Sequence, residues 1–281
     1  MTMTPMARVW LDGQMLDAPE ATVSVADRGF TSGDGVFEAI KVVGGEPFAL
    51  TRHLARLTSS ATLIGVKLPD GDELRVAVAE TIAANILRCG DRARVRITVT
   101  AGIGAPGPLR GDGPPTVVVT ADPAPPHPPS ARVITVAWPR NERALLVGAK
   151  TTSYAENLAI LERARAAGAH EALIPDTQGR LCEGTTSNVL IALDGRLVTP
   201  SLATGCLAGV TRQLVLEWGL AIEADLAIEE LARAGEVLLS SSTRDLLPVF
   251  SLDGRTLPAP GPLSSAAIAE FASLASSNPD P

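Results

Sequence analysis

Between residues 7 and 50, short apolar runs alternate with turn signals. ARVWLDGQML sets an Asp-Gly between two apolar runs and FEAIKVVGGEPFAL sets a Gly-Gly, so antiparallel hairpins are predicted. From Thr51 the period changes: Leu54, Leu57, Ala61 and Ile64 recur every three or four positions, which predicts a helix over 51–65 ended by Gly65. A second helix fits 71–88. ARVRITVTA (93–101) and PTVVVTA alternate like strands on either side of the Gly/Pro punctuation GIGAPGPLRGDGPP. In ADPAPPHPPSA the prolines oppose both helix and central strand, so a linker is placed at 121–132. It separates a small N-terminal domain, 1–120, from a larger C-terminal domain, 133–281. The second domain is predicted to contain a strand at 132–137, a helix at 153–167 closed by Gly168, and hairpin strands in EALIPDTQGRLCEG and NVLIALDGRLVTP. A helix opening on glycine in GVTRQLVLEWGL, a helical stretch at 225–234, the strand EVLLSSS and a terminal helix near 263–275 follow. The fold class is α+β, with two sheet-bearing domains and helices packed on them.

Composition narrows the classes. Of 281 residues, 46% are hydrophobic and 20% charged, which is the balance of a globular chain with a full core. Aromatics make up only 3%, so that core must be aliphatic. The net charge of −7 offers no broad attraction for phosphate backbones or anionic lipid, so neither nucleic acid nor membrane is an expected partner. No apolar run reaches the ~18 residues of a membrane span, and a cytoplasmic protein is expected. Cys89, Cys182 and Cys206 and the three histidines are scattered without metal-ligand spacing, so no metal site is expected.

Lysine usage points to chemistry. Among 24 basic residues only Lys41, Lys67 and Lys150 are lysines, so covalent attachment of a carbonyl compound has three candidates. Lys67 falls in the turn GVKLPDGDE and reads as solvated. Lys150, in LLVGAKTTSYAENLAIL, follows an expected strand end and precedes a helix, where a desolvated amine becomes a nucleophile. In RLCEGTTSNVLI, Glu183 stands between a strand and a turn; in LAGVTR a glycine opens a helix whose free N–H groups can hold an anion. Each feature by itself is also what an ordinary hairpin or helix start looks like.

Taken in order, DRGFTSGDGVFEAIKV, HLARLTSSA, GAKTTSYAENL, EALIPDTQGRLCEGTTSNVL, LAGVTR and EVLLSSSTRDLLPV resemble the class IV aminotransferases, over roughly residues 8–250. These are pyridoxal-phosphate enzymes of fold type IV that include branched-chain and D-amino-acid transaminases and aminodeoxychorismate lyases. The resemblance implies that Lys150 forms the Schiff base with the cofactor and moves the proton during catalysis. It implies that Glu183 faces the pyridine nitrogen and that Arg56 binds the phosphate. Val210, Thr211 and Ser242 are implied at the same phosphate, Leu207 against the ring, and Tyr154 near the cofactor at a spacing slightly different from that of branched-chain enzymes. A homodimer is implied as well.

For the substrate, Phe37 and Lys41 share one face of a strand, as do Arg94 and Arg96 of another. Arg96 matches a substrate-pocket arginine of branched-chain enzymes and is the candidate for the α-carboxylate. The Arg-x-His clamp of many D-amino-acid enzymes is absent; Arg110, on the loop in its place, is a possible substitute. The expected function is transamination between an amino acid, branched-chain or D, or a primary amine, and a 2-oxo acid. The alternative is aminodeoxychorismate lyase activity releasing pyruvate and 4-aminobenzoate. A non-catalytic binding protein is the remote alternative, which retention of both Lys150 and Glu183 opposes.

Overall fold

A computed structural model describes residues 6–281 apart from Pro106 and Pro108. The chain forms two compact units: residues up to Pro126 together with Ala149–Tyr154 and Pro279–Pro281, and His127–Gly148 together with Ala155–Asn278.

The first unit holds β1 (Arg8–Leu11), β2 (Gln14–Asp17), α1 (Arg28–Ser32), β3 (Gly35–Val43), β4 (Glu46–Pro47), α2 (Leu50–Ile64), α3 (Gly71–Cys89), β5 (Arg92–Thr100) and β6 (Thr116–Pro123). Its strands make one antiparallel sheet in the order β2-β1-β6-β5-β3-β4. The two predicted hairpin turns are real: Asp12-Gly13 and Gly44-Gly45 take positive φ at both positions, the handedness that matches strand twist. Alternation along β3 and β5 sends Val36, Ile40, Val95, Ile97 and Val99 into a core with Leu54, Leu57 and Ala61 of α2 and Ala77 and Val78 of α3. Phe37, Ala39, Lys41, Arg94 and Arg96 therefore share the opposite face.

The second unit holds β7 (Ala131–Thr135), α4 (Ala155–Ala166), β8 (Glu171–Pro175), β9 (Leu181–Gly184), β10 (Asn188–Leu193), β11 (Arg196–Pro200), α5 (Val210–Glu217), β12 (Ile222–Ala224), β13 (Val237–Ser241), β14 (Asp245–Leu252), β15 (Arg255–Thr256) and α6 (Pro262–Ser277). The mixed sheet runs β12-β11-β10-β13-β14-β7-β8-β9, with β15 on β14. Its core is aliphatic, with Leu173, Leu181, Val189, Ile191, Leu239 and Val249 all fully buried.

Four sequence expectations change. Strand β6 continues to Pro123 and β7 begins at Ala131, so the irregular stretch is 124–130 rather than 121–132; a proline can close a strand although it cannot sit inside one. Residues 149–154, assigned by sequence to the C-terminal domain, pack with the first unit. No strand ends before Lys150: residues 142–148 are turns. The helical stretch at 225–234 is only a short 3-10 turn, Ile228–Ala232.

Candidate active site

Lys150 is placed by the free edge of β3. Its carbonyl accepts the N–H of Phe37 (3.1 Å), Thr152 N–H donates to Gly35 (2.9 Å), and Thr151 bridges Val36, so this short segment extends the sheet for one step. On its other side the Lys150 N–H donates to Ser60 Oγ of α2 at 3.0 Å. With its backbone fixed from both sides, the side chain carries Nζ to 4.3 Å from the centre of the Phe37 ring and 5.4 Å from that of Tyr154, the only tyrosine of the chain. The two rings meet edge to face at 5.5 Å. Arg96 lies over the same Phe37 ring at 3.9 Å and is steadied by Thr98 Oγ1 (3.0 Å). Burial, and then the neighbouring Arg94, pull its pKa below the usual arginine value. The structure thus gathers Lys150, Phe37, Tyr154 and Arg96.

Lys41 is not part of that cluster. It stands four residues further along β3, roughly 13 Å of strand rise, and its ammonium lies 4.5 Å from the Phe48 ring. Arg110 is also engaged elsewhere: Nε and Nη2 donate to Asp34, and Nη1 donates to the carbonyl of Gly65 at 2.8 Å. The expectation that Arg110 replaces a substrate clamp is corrected to a loop anchor, because a carboxylate and a carbonyl already take all three nitrogens.

Arg56, on α2, reaches inward to β3. Its Nε and Nη2 donate to the two oxygens of Glu38 at 2.8 and 2.7 Å, and His53 Nδ1 meets the second oxygen at 2.7 Å. Glu38 and His53 are 0% and 1% exposed. Burial favours the protonated acid, yet Arg56 and His53 together overcome it and hold the Glu38 carboxyl at about 2. Burial pushes the His53 pKa down, so near neutral pH it is an uncharged ring that donates to Glu38. Sequence reading missed both residues.

In the second unit, Glu183 is the last residue but one of β9 and is 8% exposed. Its Oε2 accepts the N–H of Leu207 (2.9 Å), and Arg140 Nη2 approaches Oε1 at 3.4 Å. Leu207 is fixed from its other end by Asn188, whose Nδ2 donates to its carbonyl at 2.8 Å. Two residues on, Gly209 opens α5 with no side-chain cap and no acid in the first turn, so the N–H groups at Val210 and Thr211 form an electropositive end. A Cβ on Gly209 would run into Asn188 Oδ1, so a larger residue there would have to push aside the side chain that holds the Leu207 carbonyl. Ser240, paired with Asn188 across the strands, is 1% exposed and its Oγ has no hydrogen-bond partner. Ser242 follows in the turn after β13, half-exposed. The turn after Glu183 is braced from behind: Glu171 is bonded to Thr185, Thr186 and Arg244.

Each unit by itself offers groups that suit a part of pyridoxal phosphate. A buried carboxylate suits a protonated ring nitrogen, an uncapped helix start suits a phosphate, and a lysine between two rings suits an aldehyde. The three cysteines offer no rival nucleophile: all are buried, and burial raises Cys182 and Cys206, the latter to about 11.

Comparison with known proteins agrees. The family model described as Amino-transferase class IV matches residues 35–252. A putative branched-chain-amino-acid aminotransferase of Methanocaldococcus jannaschii is 35% identical, with 89% of each chain covered. A D-alanine aminotransferase of Bacillus licheniformis is 33% identical, covering 92% of this chain and 93% of that one. A bifunctional aminodeoxychorismate lyase / D-amino acid transaminase of Mycobacterium tuberculosis is 32% identical over 89% and 92%. Among solved structures, the branched-chain aminotransferase of Thermoproteus uzoniensis with norvaline superposes with a TM-score of 0.87 at 29% identity, over 95% and 94% of the two chains. Lys150, the buried Glu183 and the helix start at Gly209 thus stand in a chain that belongs to the class IV aminotransferases, pyridoxal-phosphate-dependent enzymes of fold type IV.

Proposed function

We propose that the chain transfers amino groups between α-amino acids, branched-chain or D, and 2-oxo acids, and that a carboxylate on the donor is required. The observation behind this is the cluster on Phe37: an amine at 4.3 Å and a guanidinium at 3.9 Å from one ring. An amine that handles the proton at Cα and a cation for the α-carboxylate must stand this close together, and a primary amine without a carboxylate would leave Arg96 unmatched. Pyridoxal phosphate, when bound, supplies the electron sink that makes the Cα proton labile.

In this reading Lys150 holds the cofactor until substrate arrives and then takes and returns the Cα proton. Glu183 keeps the ring nitrogen protonated, Leu207 packs on the ring, and Tyr154 lines the site. Arg56, Val210, Thr211 and Ser242 hold the phosphate. Phe37 excludes water beside the amine. Lys41 is left as a peripheral contributor to positive potential.

We also propose a homodimer, supported by exposed apolar side chains on α1 and the loop after β5: Phe30 is 76% and Leu109 82% exposed. A cytoplasmic location is supported by three unbridged cysteines. Among the described residues, no helix is long and apolar enough to cross a membrane.

The test mixes holoenzyme separately with L-leucine, D-alanine and (R)-phenylethylamine and follows the cofactor's visible band. Conversion by an amino acid but not by the amine is expected; conversion by the amine, with or without conversion by an amino acid, defeats the carboxylate requirement. The bifunctional relative favours a second reading, elimination to 4-aminobenzoate and pyruvate. It holds instead if aminodeoxychorismate releases 4-aminobenzoate while no amine converts the band. Lys150→Ala is expected to lose borohydride-fixable cofactor, seen by intact mass, and to lower turnover by about three orders of magnitude.

A further inference from the structure

Glu38 has no part in the chemistry assigned so far, yet its place is costly. It occupies a helix-facing position of β3 between Val36 and Ile40, both 0% exposed members of the core that also holds Leu57 of α2. A charge there is a poor device for stability, since apolar residues of similar size usually serve a core as well or better. What Glu38 does supply is direction. Its two oxygens receive Nε and Nη2 of Arg56 in the fork geometry that fixes both the plane and the azimuth of a guanidinium. His53, one turn earlier on the same helix, bonds the second oxygen and keeps the carboxylate from rotating.

The same two elements also hold Lys150. Ser60 of α2, one turn beyond Arg56, accepts its N–H, and Phe37, the neighbour of Glu38, donates to its carbonyl. One strand and one helix therefore set the position of the amine and the orientation of the arginine together.

We propose that Glu38, steadied by His53, is a positioning residue that aims Arg56 at the cofactor's phosphate. This rests on the reading of Arg56 as a phosphate ligand. Because Glu38 offsets part of the Arg56 charge, its contribution to binding is geometric: an arginine that arrives already oriented loses less side-chain entropy when it meets the dianion.

The test titrates the full-length apoprotein with pyridoxal phosphate and, in parallel, with pyridoxal, which lacks the phosphate. Glu38→Gln is expected to weaken the phosphate ester by about ten-fold, the scale of one lost charged hydrogen bond, and pyridoxal by less than about two-fold. Arg56→Ala should reduce the preference for the phosphate ester at least as much as Glu38→Gln does, and the double variant should be no worse than Arg56→Ala. The 31P resonance of bound cofactor should move in Glu38→Gln, which a purely structural loss with intact binding would not cause. His53→Leu, a milder change, should give a smaller loss of the same selective kind and carries the test if Glu38→Gln does not fold. Equal weakening of both ligands by Glu38→Gln and by His53→Leu, while Arg56→Ala acts only on the phosphate ester, overturns the inference. If Arg56→Ala leaves the preference for the phosphate ester unchanged, the Arg56 assignment itself fails, and this inference with it.

Discussion

Arg56 and Arg110 make the same contact in different surroundings. Each grips a carboxylate with two nitrogens, Glu38 in one case and Asp34 in the other. The Arg56 side chain is 10% exposed against a fully buried partner; Arg110 is 37% exposed against one at 13%. Water competes for the second pair and salt screens it, whereas neither reaches the first. Identical hydrogen-bond geometry thus gives a core element in one place and a loop fastening in the other. Asp34 is shared further, since Arg28 also donates to it (3.2 Å) while bonding the Gly107 carbonyl of the same Gly/Pro loop.

The buried pair should show the larger effect. Glu38→Ala takes the buried carboxylate away from the Arg56 charge and the His53 ring, and a loss of about 3–5 kcal/mol in urea unfolding is expected. A loss below about 1 kcal/mol would mean that the buried pair behaves like the exposed one.

Acid should separate the two pairs next. Glu38 titrates at about 2 in the folded chain against an ordinary 4.5, so its contribution is complete above 4.5 and is lost as pH falls toward 2. His53, also lowered by folding, begins to cost stability below its ordinary 6.5, because the unfolded chain takes the proton first. Melting temperature should therefore fall gently below pH 6.5 and steeply below 4.5. In Glu38→Gln the steep segment should flatten. Asp34, lowered by Arg110, adds a smaller loss below 3.8.

Arg110→Ala should be milder, on the order of 1 kcal/mol or less, because the pair is part-exposed. That loss should shrink further at high salt, whereas the Glu38→Ala loss should not. Faster proteolysis in the loop after β5 is the expected local sign. The smallest effect falls on Lys41→Met, which keeps the stem against Phe48 and should leave the KM for amino donors within about two-fold. A large rise would return Lys41 to the substrate site.

Much of the candidate site could be named from sequence because the chemistry proposed for it sits on residues with few other uses. Lys150 is one of three lysines, Glu183 precedes a Gly-Thr-Thr-Ser turn, and Gly209 opens a helix; each is a local signal. Hairpins were legible for the same reason, since Asp-Gly and Gly-Gly fix a turn whatever surrounds them. The polar brackets were not. Glu38 left a trace, an acid at an inward position between Val36 and Ile40, but its partners lie 15 and 18 residues away on another element. Arg140 and Asn188 likewise hold Glu183 and Leu207 from other elements of the chain.

By itself the sequence determined the period of each element, the turns between them and the residue types able to form an imine, hold a ring nitrogen or bind a phosphate. These depend on backbone sterics and side-chain chemistry that act within a few residues. Only the tertiary structure decided which charges are paired. It buried Glu38 beneath Arg56, tied Arg110 to Asp34, and carried Lys150 out of its own stretch of chain to the edge of β3. Pairing is a long-range outcome of packing: a guanidinium bonds whichever carboxylate the fold brings within reach and shields from water.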